Sequence, residues 1–390
     1  LADARVPDLN ASKITAGTIT DARLPANALN SNVSVPNQSA FKNIIINGDM
    51  SIAQRGTSTS SVTGDGYYTV DRFNLDLNTL GTWTQSQSTD VPTGQGFATS
   101  LKMDCTTANA SPSANDKLVI EQSIEGQNLQ YLKKGTSSAE SLTLSFWVKT
   151  NKTGTYTLEL LDNDNSRSFS QTYTVSSADT WEKKTLTYAG DTSGAFGNDN
   201  GSSLQCNFYL GAGSSFTSGT FQDSWGSKVK ANRVSSSQVN LADSTSNDFY
   251  ITGVQLEAGT AASDFEFLPV DVNTTRCYRY YQKSYSYNVV VGTNTTNGLH
   301  TTDGSAGGLT TGSLYGQIDL KETMRASPTV TAFDKAGNSG KCARLNSGVS
   351  RTDNQNISIQ DIIEKSFTII SEGTANAGAI DVHYQAVSEL

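Results

Sequence analysis

Charge is scarce in this chain of 390 residues. Only 17% of its residues are charged, against about 25% in an average soluble domain. The net charge is −9, with no Lys/Arg cluster. Nucleic-acid binding rests on neutralising phosphates, so it is not expected here. No apolar run approaches the ~18 residues of a membrane-crossing helix, and membrane insertion is not expected. Histidine is limited to His300 and His383, which leaves little for metal or triad chemistry. The cysteines are Cys105, Cys206, Cys277 and Cys342, with no CxxC pair. That spacing excludes zinc-ribbon and thioredoxin readings and is too sparse for a disulfide scaffold. Buried free thiols are expected. No secretory signal opens the sequence, and Leu1 starts in mid-pattern. A fragment or processed chain is expected.

What replaces charge is Ser, Thr, Asn and Gly. The hydrophobic share of 36% still permits a sizeable core. It is unevenly distributed. Residues 1–40 hold no aromatic side chain, and Asp3-Ala4-Arg5-Val6-Pro7 recurs as Asp21-Ala22-Arg23-Leu24-Pro25. Isolated Ile, Leu and Val cannot offset the ordering entropy of one such chain. Several chains wound together could bury them, so a multi-chain shaft is expected, with a flexible linker as the alternative.

From Phe41 the pattern changes to strands. Leu142, Leu144, Phe146 and Val148 alternate with Thr143, Ser145, Trp147 and Lys149, the period of a half-buried strand. Tyr156/Leu158/Leu160, Phe169–Val175 and Leu204–Leu210 repeat it. Across Gly253 the apolar phase shifts from Phe249/Ile251 to Val254/Leu256, which predicts a β-bulge. No segment of helical length shows a 3.6-residue period. The prediction is all-β: a shaft segment (1–40), an antiparallel sandwich (41–270) and a C-terminal antiparallel β-sandwich (271–390). The tyrosines from Tyr278 to Tyr287 are expected to form a packed interdomain collar, with a binding cleft as the alternative.

The stretches Leu142–Lys149, Gly154–Leu158 and Thr180–Thr185 resemble the jelly-roll carbohydrate-binding modules found beside xylanases and cellulases. Asn43–Met50 and Asp248–Glu257 look like that family's first and last strands. The shaft at 11–25, Asn47–Gly56, Gln255–Gly259 and Arg276–Tyr281 together resemble bacteriophage tail fibres. This resemblance implies a virion protein, homotrimeric, joined to other tail proteins through its N-terminus and attached to a host-surface polysaccharide or lipopolysaccharide. The distal β-domain would present loops to the glycan. The alternatives are a tailspike-type depolymerase, a carbohydrate-binding module of a secreted hydrolase, and a purely structural virion part. The sandwich family implies a structural calcium near Asp49. Thr252 and Gly253 stand where its acidic partners belong, and calcium needs six to eight oxygens, so no cofactor is expected.

Sugar sites pair aromatic faces with a few placed polar groups. Trp83, Trp147, Tyr209 and Trp225 are the candidate glycan-binding residues. Trp147 and Tyr209 lie on strand faces opposite the apolar ones. Trp181 begins a strand and is assigned to the core. Loop covering and subunit packing are the competing roles. Catalysis is not expected. Glu121/Glu125 and Asp162/Asp164 are the nominal carboxylate pairs for glycosidic cleavage. The first pair lacks nearby aromatic walls, and the second falls in a turn that favours Asp and Asn for backbone reasons.

Overall fold

The computed structural model describes residues 41–304, 313–346, 351–371 and 378–390. The expected shaft, residues 1–40, lies outside them. Asn43–Leu390 forms one compact unit built around two main apolar cores.

The first core is a sandwich of twelve strands. They are β1 (Ser58–Val62), β2 (Asn74–Asn78), β3 (Thr82–Ser88), β4 (Ser100–Thr107), β5 (Lys117–Glu125) and β6 (Leu142–Thr150). Then follow β7 (Gly154–Asp162), β8 (Arg167–Val175), β9 (Glu182–Tyr188), β10 (Ser202–Ala212), β11 (Gly226–Ser227) and β12 (Asp248–Ala258). One sheet runs β1-β3-β4-β12-β6-β9 and the other β11-β8-β7-β10-β5-β2. All named pairings are antiparallel, the arrangement of a jelly-roll sandwich. Alternation explains the layering. Leu144, Phe146 and Val148 of β6 point inward against Tyr156, Leu158 and Leu160 of β7, all fully buried. Each such side chain contributes roughly 1.5–3 kcal/mol of burial. Phe146 packs edge-on to both Tyr173 and Phe208.

Two local expectations are revised. Asn43–Asp49 is no strand but an irregular turn. It is tied to β12 by the bonds Ile44 N–H to Leu256 O and Val254 N–H to Gly48 O. A helix forms at Val270–Tyr278 where none was predicted. Only Asn273 and Cys277 of its residues are buried, so its sequence carries no apolar stripe. All four cysteines are buried free thiols.

The second core belongs to β13 (Tyr281–Lys283), β14 (His300–Gly304), β15 (Leu314–Asp319), β16 (Thr329–Phe333), β17 (Lys341–Asn346), β18 (Arg351–Asn356), β19 (Ser358–Gln360), β20 (Ser366–Ser371) and β21 (Gly378–Val387). β21 is its spine. Its first half pairs β14 and β17, and its second half pairs β13 and β16. A three-stranded sheet β15-β20-β19 completes the unit.

Tyr280, Tyr281 and Tyr285 are buried, while Tyr287 is 43% exposed. Cys277 and Tyr280 pack on Ile46 and Ile52 of the first β-unit. Tyr285 stacks on His383 of the second, 3.8 Å between ring centroids. The tyrosines thus form a collar between the two units.

Candidate functional site

The outer face of the sheet containing β6 and β12 carries an aromatic platform. Strand register builds it. Tyr250 on β12 lies opposite Lys102 of β4 on one side and Lys149 of β6 on the other. Thr252, two residues on, lies opposite Trp147, and Trp147 in turn faces Lys183 of β9. Because every second residue turns outward, Trp147, Lys149, Tyr250 and Lys102 share one surface. Trp181 immediately precedes β9, and its ring stands edge-on to Tyr250 at 6.2 Å.

Charges frame these rings. The Lys149 ammonium lies 4.3 Å from the Tyr250 ring centre and 5.9 Å from Trp181, within cation–π range. Lys149 also donates to Asp90, and the Trp181 indole N–H donates to Asp90 Oδ1 at 2.9 Å. Burial raises the Asp90 pKa, but the hydrogen bonds from Lys149 and Trp181 outweigh it and hold the carboxyl below the usual range. Lys102 sits 5.3 Å from the Tyr250 ring and pairs with Asp104 at 3.2 Å. The Tyr250 hydroxyl donates to Asp248 Oδ2 at 3.2 Å. Burial pushes the Tyr250 phenol up, so it stays a donor. Trp147 and Trp181 are half-buried, Tyr250 nearly covered. Apolar ring faces beside fixed ammonium and carboxylate groups suit a polyhydroxylated ligand with C–H patches.

The predicted residues fare differently. Trp147 stands on the outer face as expected. Trp83 does not: it is fully buried, and its indole N–H donates to Leu80 O at 2.8 Å. It points inward because β3 alternates Trp83, Gln85 and Gln87 against Cys105, Met103 and Leu101 of β4. Tyr209 faces outward from its sheet, yet Phe216 and Val234 of the following excursion bury it. Its hydroxyl donates to Glu159 at 3.3 Å. Trp225 packs edge-on to Phe169 and donates to Ala189 O at 2.7 Å, closing a loop over the core. Trp181, assigned to the core, is instead part of the platform. Sequence reasoning also missed Tyr250, Lys102, Lys149 and Asp90. The alternation of β12 carried the signal for Tyr250, since Tyr250 and Thr252 share a phase.

The nominal catalytic groups are occupied structurally. Glu125 receives both arms of Arg279 at 2.7 and 2.6 Å. Glu121 accepts from Asn74 at 3.0 Å, and burial raises its pKa. Asp162 pairs with Lys134, and Asp164 accepts from Gly197 N–H at 2.8 Å. His383 is buried between Ser284 Oγ (3.1 Å to Nδ1) and Thr295 O (3.0 Å to Nε2), with no carboxylate partner on either nitrogen. Around Asp49 the neighbours are Ser51 Oγ at 3.0 Å and Asn273 Nδ2 at 3.2 Å. Among the described residues no three His, Cys, Asp or Glu side chains gather as a metal site.

No protein-family profile matches the sequence, and no curated protein sequence matches it. Solved structures with a similar fold include the enzymatically active domain of tailspike protein 4 of bacteriophage CBA120. The two are 16% identical over 56% of this chain and 21% of that one, with a TM-score of 0.30. The chain thus spans about a fifth of that tailspike's chain. A family 11 carbohydrate-binding module from Clostridium thermocellum, solved with a β-1,3-1,4-mixed-linked tetrasaccharide, is 10% identical over 53% of this chain and 98% of its own, TM-score 0.25. A family 22 xylan-binding domain from Paenibacillus barcinonensis is 14% identical over 54% and 100%, TM-score 0.23. Each is a likeness of the β-sandwich and no more.

Proposed function

We propose that this chain is a non-enzymatic attachment part of a bacteriophage tail fibre, a homotrimer that binds a host-surface glycan. Residues 1–40 would trimerise it and join it to other tail proteins. The observation that carries glycan binding is the platform of Trp147, Trp181 and Tyr250 with Lys102, Lys149 and Asp90 around it. The virion role is supported by the segments at 11–25, 47–56, 255–259 and 276–281. Weak binding at each site would be multiplied by three-fold avidity.

The test is retention on immobilised host polysaccharide of the full chain against Trp147→Ala and Trp181→Ala. Each substitution should weaken binding about tenfold or more, the scale of an aromatic hot spot. Unchanged retention in both would refute the platform. Light scattering should give three times the 41.5 kDa chain mass, and a monomer persisting at high concentration would refute the trimer. Release of reducing ends from the same polysaccharide would replace this reading with the depolymerase.

A further inference from the structure

At one end of the sandwich, away from any residue of the platform, an ammonium sits inside an oxygen cage. Lys134 follows β5 in the connection to β6, and its side chain is only 5% exposed. Its Nζ lies 2.6 Å from Asp162 Oδ2 and 3.0 Å from Asp191 Oδ2. It donates to the carbonyls of Ser193 at 2.9 Å and Gly194 at 2.7 Å. Two carboxylates and two backbone carbonyls thus converge on one point. Both acids are buried, Asp162 fully and Asp191 nearly.

The donors come from both sheets. Asp162 ends β7, and Asp191, Ser193 and Gly194 follow β9 of the opposite sheet. Second contacts fix them. Asn165 Nδ2 donates to Asp162 Oδ2 at 3.0 Å, and Arg167 grips Asp191 with Nε at 2.7 Å and Nη2 at 2.9 Å. The rings of Phe196 and Trp225 lie 5.1 and 5.7 Å from the ammonium. Hard oxygen donors of mixed carboxylate and carbonyl type are the set that holds calcium. An ammonium has three protons for four oxygens, so at least one of these contacts is shared or purely electrostatic, as a spherical cation's would be.

We infer that Lys134 is a built-in replacement for a divalent cation, a tethered charge that joins the ends of the two sheets without bound metal. The chain therefore holds a latent divalent-cation site that the lysine itself occupies. Buried carboxylates left without their cation are strongly destabilising, so removing the ammonium creates a demand that calcium can meet, with water completing its coordination. Affinity would be weak, about millimolar, because only two carboxylates contribute and Arg167 shares one of them.

Lys134→Ala empties the cage, whereas Lys134→Met keeps it filled by an uncharged stem. Thermal unfolding of the full chain is compared in EDTA and in about 10 mM calcium. Lys134→Ala should unfold at lower temperature than the wild type and regain several degrees with calcium. Lys134→Met should lose stability and gain nothing, and the wild type should be indifferent to both. Terbium gives a second readout, since Trp225 beside the cage can sensitise its emission. Emission should appear in Lys134→Ala and fall when Trp225→Phe is added. A Lys134→Ala chain that shows neither response, or that stays unfolded with calcium present, overturns the inference. So does a wild type whose unfolding shifts with EDTA.

Discussion

At the scale of single residues, environment decides the role of identical side chains. Four tryptophans occupy three settings. Trp83 fills the core, Trp225 closes a loop, and Trp147 and Trp181 face outward. Titratable groups divide in the same way. Burial holds the His383 imidazole below its ordinary value of 6.5, so it is neutral in the fold. The unfolded chain then binds more protons below pH 6.5. The stability that neutral His383 contributes is complete above about pH 6.5 and is lost as pH falls below it. Asp71 acts oppositely. Burial raises it from 3.8 to about 6, so the fold is favoured by its protonation below pH 4 and loses that as pH rises through 6. His383→Gln should therefore flatten the acid limb of melting temperature against pH between 7 and 5, relative to wild type. An unchanged limb would mean that other groups carry the acid sensitivity.

At the scale of elements, one glycine sets the platform. Gly253 has φ +63°, and a Cβ there would lie 2.6 Å from the Phe97 ring. The pairing of β12 with β6 shifts register between Thr252 and Gln255 around it. This bulge lets Tyr250 and Thr252 face outward at one end of β12 while Val254 and Leu256 turn to the core beyond it. Gly253→Ala is expected to cost about 1–3 kcal/mol through backbone strain and overpacking. It should also weaken glycan binding, because Trp147 pairs with Thr252 beside the bulge. Denaturant unfolding and polysaccharide retention measure the two effects, and a fully stable Gly253→Ala chain would show that the bulge is not required. The bulge was legible in the sequence because phase breaks leave a mark in any single strand. So were β6, β7, β8, β10 and the layered core. The platform was not. It depends on which strands are neighbours, and β12 reaches β4 and β6 across more than a hundred residues. Tyr209 failed for the related reason that the strand pattern shows its face but not the excursion, through Phe216 and Val234, that covers it.

At the scale of the whole molecule, the two β-units of Asn43–Leu390 are joined by charge and aromatic stacking as well as by the apolar contact of Ile46 and Ile52 with Cys277 and Tyr280. Arg72 is fully buried, donates to Ser123 O at 2.7 Å and lies 3.5 Å above the Tyr280 ring. Its ion-pair partner is Glu389, next to the last residue, which also binds Arg55 at 3.0 Å. Lys283 donates to the carbonyls of Gln54, Tyr287 and Val289, and Arg279 clasps Glu125. The resemblance to tail fibres rested partly on Asn47–Gly56 and Arg276–Tyr281, and these two segments meet at this junction through Ile52, Arg55, Cys277 and Tyr280. These two segments therefore carry contacts that join the units. Removing one member of a buried ion pair strands the other, at roughly 3–5 kcal/mol. Glu389→Ala should thus lower stability far more than a change near a chain end usually does, and calorimetry should show the second β-unit unfolding separately from the sandwich. Combining Glu389→Leu with Arg72→Met removes both charges and should recover most of the loss. If Glu389→Ala unfolds in one transition at the wild-type temperature, the Glu389 ion pairs are not what couples the units, and the tyrosine collar with the Lys283 and Arg279 contacts holds them.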